Sequence, residues 1–180
     1  MKALLIIDMQ KVSFTSQTPR YDSQKVIERI NRLSEIFRKN GNPVIFIQHD
    51  GIKEHYCLPG TKEWEILDSL TRTPEDEVVS KKANDSFYQT RLHQFLQENC
   101  INELVITGCA TDFCVDCTVK SALTHDYNLT IIADAHTTAD RPHLAATKII
   151  EHYNWVWAEL TPTEGTIKVI TTEEYLREIV

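Results

Sequence analysis

The chain has 180 residues, of which 42% are hydrophobic and 25% charged, enough for one compact domain with a core of its own. The net charge of −7 and the absence of a dense lysine and arginine stripe argue against general affinity for nucleic acid or anionic membranes. No apolar run approaches the roughly 20 residues of a membrane-spanning helix, and Asp8 ends the first apolar stretch too early for a secretory signal. The odd number of cysteines, five, favours reduced thiols and a cytoplasmic location over a disulfide framework.

Short apolar segments alternate with longer segments of helical periodicity along the chain. The predicted strands cover residues 3–7, 44–48, 77–80, 104–107, 130–133 and 155–158. The predicted helices cover residues 23–39, 88–99, 112–125, 142–153 and 172–179, with a short helical piece around 64–70. Unalternating apolar strands are typical of parallel strands buried on both faces. The order of the elements predicts a three-layer, Rossmann-like α/β fold over residues 1–180, a single domain with a parallel sheet of about six strands flanked by helices.

Three reactive residues follow predicted strands, at the sheet edge where open α/β folds bind ligands. Asp8 follows the first strand, Lys81 follows the third, and Cys114 lies where a helix begins after the turn at Gly108. Unpaired N–H groups at a helix start can lower the pKa of a thiol or hold an oxyanion. A carboxylate, an ammonium and a thiol together can form a nucleophilic site in which the Asp accepts the thiol proton.

Each of these residues also has a structural interpretation when it is taken alone. Asp8 could cap a turn, Lys81 could be solvated, and Cys114 could be a small buried apolar residue. Cys114 and Cys117 form a closely spaced pair, but no second Cys or His pair lies at a spacing typical of zinc sites. We therefore expect no metal and no cofactor.

Several motifs occur in the order found in one enzyme family. They are residues 5–10 with Phe14, residues 43–49, residues 78–81 with Ser86, Phe87, Thr90 and Leu92, residues 107–111 continuing to Cys114 and Val115, and the pair Asp134 and Ala135. Together these motifs resemble the isochorismatase-like cysteine hydrolases of the isochorismatase/nicotinamidase superfamily. The resemblance covers nearly the whole chain.

The resemblance implies a catalytic triad and an oxyanion hole. Asp8 matches the general base and Cys114 the nucleophile, while Lys81, rather than Lys82, keeps the family's spacing to Phe87. Family members also have a cis peptide bond before the nucleophile, which here would join Cys109 and Ala110. That bond would aim the Ala110 N–H, together with the Cys114 N–H, at the oxyanion.

The implied activity is cysteine-dependent hydrolysis of a small amide or carbamoyl-type C–N bond through a thioester intermediate. Two alternatives stay open: vinyl-ether hydrolysis of an isochorismate type, and a non-hydrolytic thiol protein that senses redox state or binds a ligand. The family's isochorismatases do not need the thiol, so Cys114 favours amide chemistry.

The segment after the second strand departs from the nicotinamidase branch of the family. That branch places an Asp-x-His pair and a further His there as metal ligands. Here the histidine comes before the aspartate, as His49 and Asp50, and His55 follows five residues later. Either histidine could still bind a metal, but the lost spacing argues against nicotinamide as the substrate. The predicted substrate-binding residues are Gln10, Phe14, His49, Trp64 and Phe113. For His49 a turn cap, and for Trp64 a satellite core, are the structural alternatives.

The expected partner is a small-molecule substrate, with neither nucleic acid nor membrane. Family members are commonly oligomeric, and the resemblance therefore implies a homo-oligomer, either a dimer or a tetramer. Tyr153, Trp155 and Trp157 could supply an interface or belong to the core.

Overall fold

A computed structural model describes residues 1–179 as a parallel sheet between two layers of helices. The strands are β1 (Lys2–Ile7), β2 (Val44–His49), β3 (Glu77–Lys81), β4 (Glu103–Cys109), β5 (Asn128–Thr137) and β6 (Ile167–Ile170). The α-helices are α1 (Ser23–Lys39), α2 (Leu92–Glu98), α3 (Asp116–Thr124), α4 (Ala146–Ala158) and α5 (Thr172–Ile179). The strand order is β3-β2-β1-β4-β5-β6, and all neighbouring strands are parallel. The predicted fold class is confirmed.

The central strand β1 is buried on both faces. Leu5 and Ile7 belong to one hydrophobic core, and Leu4 and Ile6 belong to the core on the other face. This arrangement follows from the alternation of side chains along a strand, and it explains why the sequence of β1 is apolar without a polar alternate.

Helix α1 has the bounds that its sequence pattern predicts. Val26, Ile30, Leu33 and Phe37 recur at helical spacing and are buried, so one face of the helix packs on the sheet. Helix α5 also matches its predicted bounds.

The predicted strand at 155–158 is wrong, because these residues form the end of α4. Ile149 and Trp157 are buried two helical turns apart on one face of α4, whereas Trp155 is 63% exposed. The β-propensity of Trp and Val was therefore outweighed by helical packing. The sixth strand is β6, which lies after Gly165. Trp157 belongs to the core, and an interface at Trp155 remains a prediction.

Four helix predictions also had the wrong bounds or type. Helix α4 begins at Ala146, so Pro142 precedes it, and α2 begins at Leu92 rather than at residue 88. Residues 64–70 form turns. The predicted helix at 112–125 is divided into a π-helical turn, Thr111–Val115, and α3.

The reactive residues predicted from the sequence all lie at the carboxyl ends of parallel strands. Asp8 follows β1, Lys81 ends β3, and the π-helical turn follows β4. None of the helices within residues 1–179 has the length and apolar character needed to cross a membrane.

Candidate active site

Asp8 and Lys81 form a buried ion pair. Lys81 Nζ lies 2.8 Å from Asp8 Oδ2, and the two side chains are 0% and 10% exposed. Lys81 Nζ also donates to the Ala83 carbonyl at 2.8 Å. Burial acts to lower the pKa of Lys81, but Asp8 and Cys114 together outweigh it and raise that pKa overall. The ammonium therefore stays charged beside the carboxylate.

The second carboxylate oxygen of Asp8 is free. Asp8 Oδ1 is buried and has no hydrogen-bond partner within residues 1–179. Buried polar atoms are nearly always paired in folded proteins. An unpaired carboxylate oxygen is therefore a candidate proton acceptor.

Cys114 lies on the π-helical turn next to this ion pair. Its thiol donates to Asn84 Oδ1, with a sulfur-to-oxygen distance of 3.6 Å. Burial raises the pKa of the thiol, the Asp8 carboxylate raises it further, and Lys81 only partly opposes them. Burial and the Asp8 carboxylate thus act against the lowering of the thiol pKa that a helix start favours. The resting sulfur is a protonated thiol with an acceptor beside it.

The cis peptide bond is found where the resemblance places it, between Cys109 and Ala110. The Ala110 carbonyl accepts hydrogen bonds from Phe113 N at 3.0 Å and Val115 N at 3.2 Å. Ala110 and Cys114, whose N–H groups are the predicted oxyanion donors, both line the cavity described next.

A cavity of about 550 Å³ opens over Asp8 and Cys114, within the usual size range for small-molecule sites. Its wall also includes Asn84, Tyr56 and Cys57. A smaller cavity of about 250 Å³ lies near Lys2, at the amino-terminal end of β1, and Tyr175. Its lining contains none of the reactive residues.

Three of the predicted substrate-binding residues line this cavity: Gln10, His49 and Phe113. The Gln10 amide is already engaged, since Nε2 donates to the carbonyls of His49 and Trp64 at 3.0 and 2.8 Å and Oε1 accepts from His49 N. His49 Nδ1 is buried without a partner in the described chain. Phe113 is 48% exposed, so its ring can contact a ligand.

Phe14 and Trp64 are not among the residues that line the cavity. Phe14 packs against the core on the α1 side of the sheet. Trp64 Nε1 donates to Asp50 Oδ1 at 2.8 Å, which holds the loop after β2. Contact of either residue with a substrate remains a prediction.

The π-helical turn is held on its other side by Asp112. Asp112 Oδ1 accepts from Thr138 Oγ1 at 2.6 Å and from Arg141 Nη2 at 2.9 Å, and Oδ2 accepts from Arg141 Nε at 2.8 Å. Burial alone would raise the pKa of Asp112, but these hydrogen bonds lower it overall. The carboxylate is therefore a fixed anchor for the turn.

His136 is a second anchor for the same turn. Asn154 Nδ2 donates to the Ala133 carbonyl, so its Oδ1 is left to accept from His136 Nε2 at 2.9 Å, and Thr111 Oγ1 then donates to His136 Nδ1 at 2.9 Å. Burial lowers the pKa of His136 to about 4. The ring is neutral at pH 7 and positions Thr111.

Asp134, which lies within β5, links helices α1 and α5 to the sheet. Its Oδ1 accepts from the N–H and hydroxyl of Thr172 at 2.8 and 2.7 Å, and its Oδ2 lies 3.1 Å from Arg29 Nε.

Within residues 1–179, no group of three His, Cys, Asp or Glu side chains could hold a metal ion. His49 Nε2 instead lies 3.8 Å from Glu54 Oε2, and His55 is exposed, with a positive φ of 58°.

Several residues of the cavity were not predicted from the sequence, among them Asn84 and Arg20. Asn84 lies three positions after Lys81, and this adjacency was the only signal for it. Arg20 lies in the irregular segment 14–21 before α1, where substrate specificity was expected, but its own place in the cavity depends on contacts with the end of β5.

Gly108 brings the end of β4 close to β1. Its φ is +121°, and a Cβ there would overlap the Ile7 carbonyl oxygen. Asp8, which follows Ile7 at the end of β1, also has a positive φ, of 46°. Only glycine fits the first of these positions.

Comparison with known proteins gives the same family as the motifs. The model of the isochorismatase domain matches residues 2–165. The isochorismatase family protein YddQ of Bacillus subtilis is 32% identical over 97% of this chain and 98% of its own length. The ureidoacrylate amidohydrolase RutB of Methylorubrum extorquens is 35% identical over 58% of this chain and 44% of its own length. A crystal structure of an isochorismatase family protein matches with a TM-score of 0.85 at 31% identity, over 93% of this chain and 97% of that one. The chain therefore belongs to the isochorismatase family of hydrolases.

Proposed function

We propose that the protein hydrolyses the C–N bond of a small amide or carbamoyl compound with Cys114 as the nucleophile. One observation carries the proposal: the Cys114 thiol lies beside a buried Asp8–Lys81 ion pair whose second carboxylate oxygen is free. The cavity above it is large enough for a small substrate. The similarity to an amidohydrolase supports the bond type.

In the proposed first half-reaction, Asp8 Oδ1 takes the thiol proton as Cys114 Sγ attacks the carbonyl carbon. Because the pKa of the thiol is raised, proton removal accompanies attack instead of preceding it. The N–H groups of Ala110 and Cys114 stabilise the tetrahedral oxyanion. The C–N bond then breaks, and protonated Asp8 gives its proton to the leaving nitrogen.

The second half-reaction releases the acyl group. Asp8 takes a proton from a water molecule as that water attacks the thioester carbonyl carbon. The carbon–sulfur bond breaks, the Cys114 sulfur regains a proton from Asp8, and the acid product leaves. Throughout both steps Lys81 stays charged and fixes Asp8 through its 2.8 Å contact.

The test is ammonia release from a panel of small amides and carbamoyl compounds. We expect the wild type to act on some members and Cys114→Ala to lose at least about 10³-fold in kcat/KM with an unchanged melting temperature. Cys117→Ala is the matched control, since Cys117 lies outside the cavity lining, and it should keep activity within about twofold.

Mass spectrometry of the wild type during turnover should detect an acyl adduct on Cys114. Full amide hydrolysis by Cys114→Ala would contradict the proposal. If Cys114→Ala instead keeps activity on isochorismate while no amide is cleaved, the vinyl-ether alternative is correct.

A further inference from the structure

The cavity is more positive than the chain that forms it. Its lining includes four cationic side chains and two carboxylates: Arg20, Lys53, Lys82, Arg141, Asp8 and Glu54. Asp8 is paired with Lys81, and Arg141 is paired with Asp112. Three cations and one carboxylate remain, although the whole chain has a net charge of −7. This local excess of positive charge attracts anions into the site.

Arg20 differs from the other cations of the cavity in having a buried donor. Among residues 1–179, its Nε is buried without a hydrogen-bond partner. The donors of Arg141, in contrast, are paired, since its Nε and Nη2 both donate to Asp112. A buried guanidinium donor without a partner costs stability unless a ligand accepts its hydrogen bond.

The Cys109 thiol, on which Arg20 acts, does not neutralise the guanidinium. Burial raises the pKa of the Cys109 thiol to about 11, even though Arg20 acts to lower it. Cys109 is therefore a neutral thiol at pH 7 and leaves the guanidinium without a counter-charge.

The backbone around Arg20 is fixed. Tyr21 N donates to the Thr138 carbonyl at 2.9 Å, and Thr137 Oγ1 donates to the Tyr21 carbonyl at 2.6 Å. Arg20 is thus tied to the end of β5, near the anchors of the nucleophile turn. Fixed donors bind a ligand without the cost of ordering a loop.

We propose that Arg20 binds a carboxylate of the substrate, so that the natural substrate is an acidic amide or carbamoyl compound. The planar guanidinium matches a carboxylate through paired hydrogen bonds. Lys53 and Lys82, both exposed at the cavity mouth, add to the attraction. The substrate class depends on the proposed function, whereas anion binding by Arg20 does not.

Alkylation of Cys114 tests the anion site without any hydrolysis. Iodoacetate and iodoacetamide react at the same carbon and differ in charge, and tandem mass spectrometry locates the product among the cysteines. We expect Arg20→Gln to lower the iodoacetate-to-iodoacetamide rate ratio at Cys114 by roughly tenfold and to leave the iodoacetamide rate unchanged. Arg20→Lys, which keeps the charge, should lie between.

The matched control is Lys39→Gln, which removes one positive charge at the exposed end of α1. Its ratio should equal that of the wild type. The inference is overturned if Arg20→Gln keeps the wild-type ratio, or if Lys39→Gln lowers it equally. An unchanged iodoacetamide rate and melting temperature show that Arg20→Gln is folded. If both values fall, the alkylation ratio of Arg20→Lys is the deciding measurement.

Paired substrates then separate this inference from the proposed function. N-carbamoylglycine and succinamate are compared with their methyl esters by ammonia release. We expect the acids to be preferred, and Arg20→Gln to raise KM for the acids by roughly tenfold but not for the esters. Equal hydrolysis of acids and esters, unchanged in Arg20→Gln, would refute the anion site and leave the hydrolase intact. If no member of either class is cleaved, the proposed function fails and the alkylation ratio alone decides the anion site.

Discussion

The π-helical turn Thr111–Val115 contributes residues to two polar clusters. The reactive cluster consists of Asp8, Lys81 and Cys114. The anchoring cluster consists of Thr111, Asp112, His136, Thr138, Arg141 and Asn154. Both contain an aspartate paired with a cation at 2.8 Å.

The difference lies in how many hydrogen bonds each carboxylate accepts. Both oxygens of Asp112 are occupied by Arg141 and Thr138, whereas Asp8 Oδ1 has no partner in the described chain. A saturated buried carboxylate stabilises the fold, while an unsaturated one costs stability and keeps a lone pair for chemistry. The anchoring cluster thus holds the turn so that the reactive cluster can leave one acceptor open.

The largest effect is expected from Asp8→Asn. The amide can still accept a hydrogen bond from Lys81, but it cannot take the thiol proton, so kcat/KM for an amide substrate should fall by roughly 10³-fold. Ammonia release measures the loss, and circular dichroism checks the fold. Asp68→Asn is the control, because Asp68 is a surface carboxylate paired with Lys11, and it should keep activity. Wild-type rates in Asp8→Asn would remove the distinction between the two clusters.

The pH dependence of stability should report the anchoring cluster. Folding lowers the pKa of His136 from 6.5 to about 4, so between these values the unfolded chain binds a proton that the folded chain does not. The stabilisation is complete above pH 6.5 and is lost as the pH falls toward 4, by about 3 kcal/mol. Urea unfolding at several pH values measures this slope. His136→Gln should flatten it, and an equal slope in that variant would show that other groups cause it.

A smaller effect is expected from Asp112→Asn. Losing charge-assisted hydrogen bonds to Arg141 should lower the free energy of unfolding by about 2 kcal/mol, with kcat changed by less than roughly tenfold. Because the pKa of Asp112 is lowered from 3.8, the difference from wild type should disappear as the pH falls below that value. A loss of activity as large as that of Asp8→Asn, without a loss of stability, would contradict the anchoring function.

The elements that the sequence predicts well are those whose pattern depends on their own packing. Helix α1 has four buried apolar positions at helical spacing, and β1 is apolar from Ala3 to Ile7 because it is buried on both faces. The end of α4 was predicted as a strand because Trp155, Val156 and Trp157 favour strands locally, and only the sheet shows which of them packs inward.

The sequence also predicted only part of the candidate site. Asp8, Lys81 and Cys114 follow strands, so topology predicts that they share an edge of the sheet. The raised pKa of Cys114 was not predictable, since it depends on burial and on the distance to Asp8. The contact of Arg20 itself with the cavity was not predictable either, because long-range hydrogen bonds between Tyr21 and the residues Thr137 and Thr138 decide where its segment lies.

Gly108 limits how this chemistry could be rebuilt elsewhere. A designer who grafts an Asp, a Lys and a Cys onto another parallel sheet would copy three side chains but not the close approach of β4 to Ile7 that glycine permits. The Asp8 backbone, which has a positive φ, would then lack Gly108 on the adjacent strand. A successful graft must therefore transfer a pair of backbone conformations on adjacent strands, one of which tolerates no side chain at all.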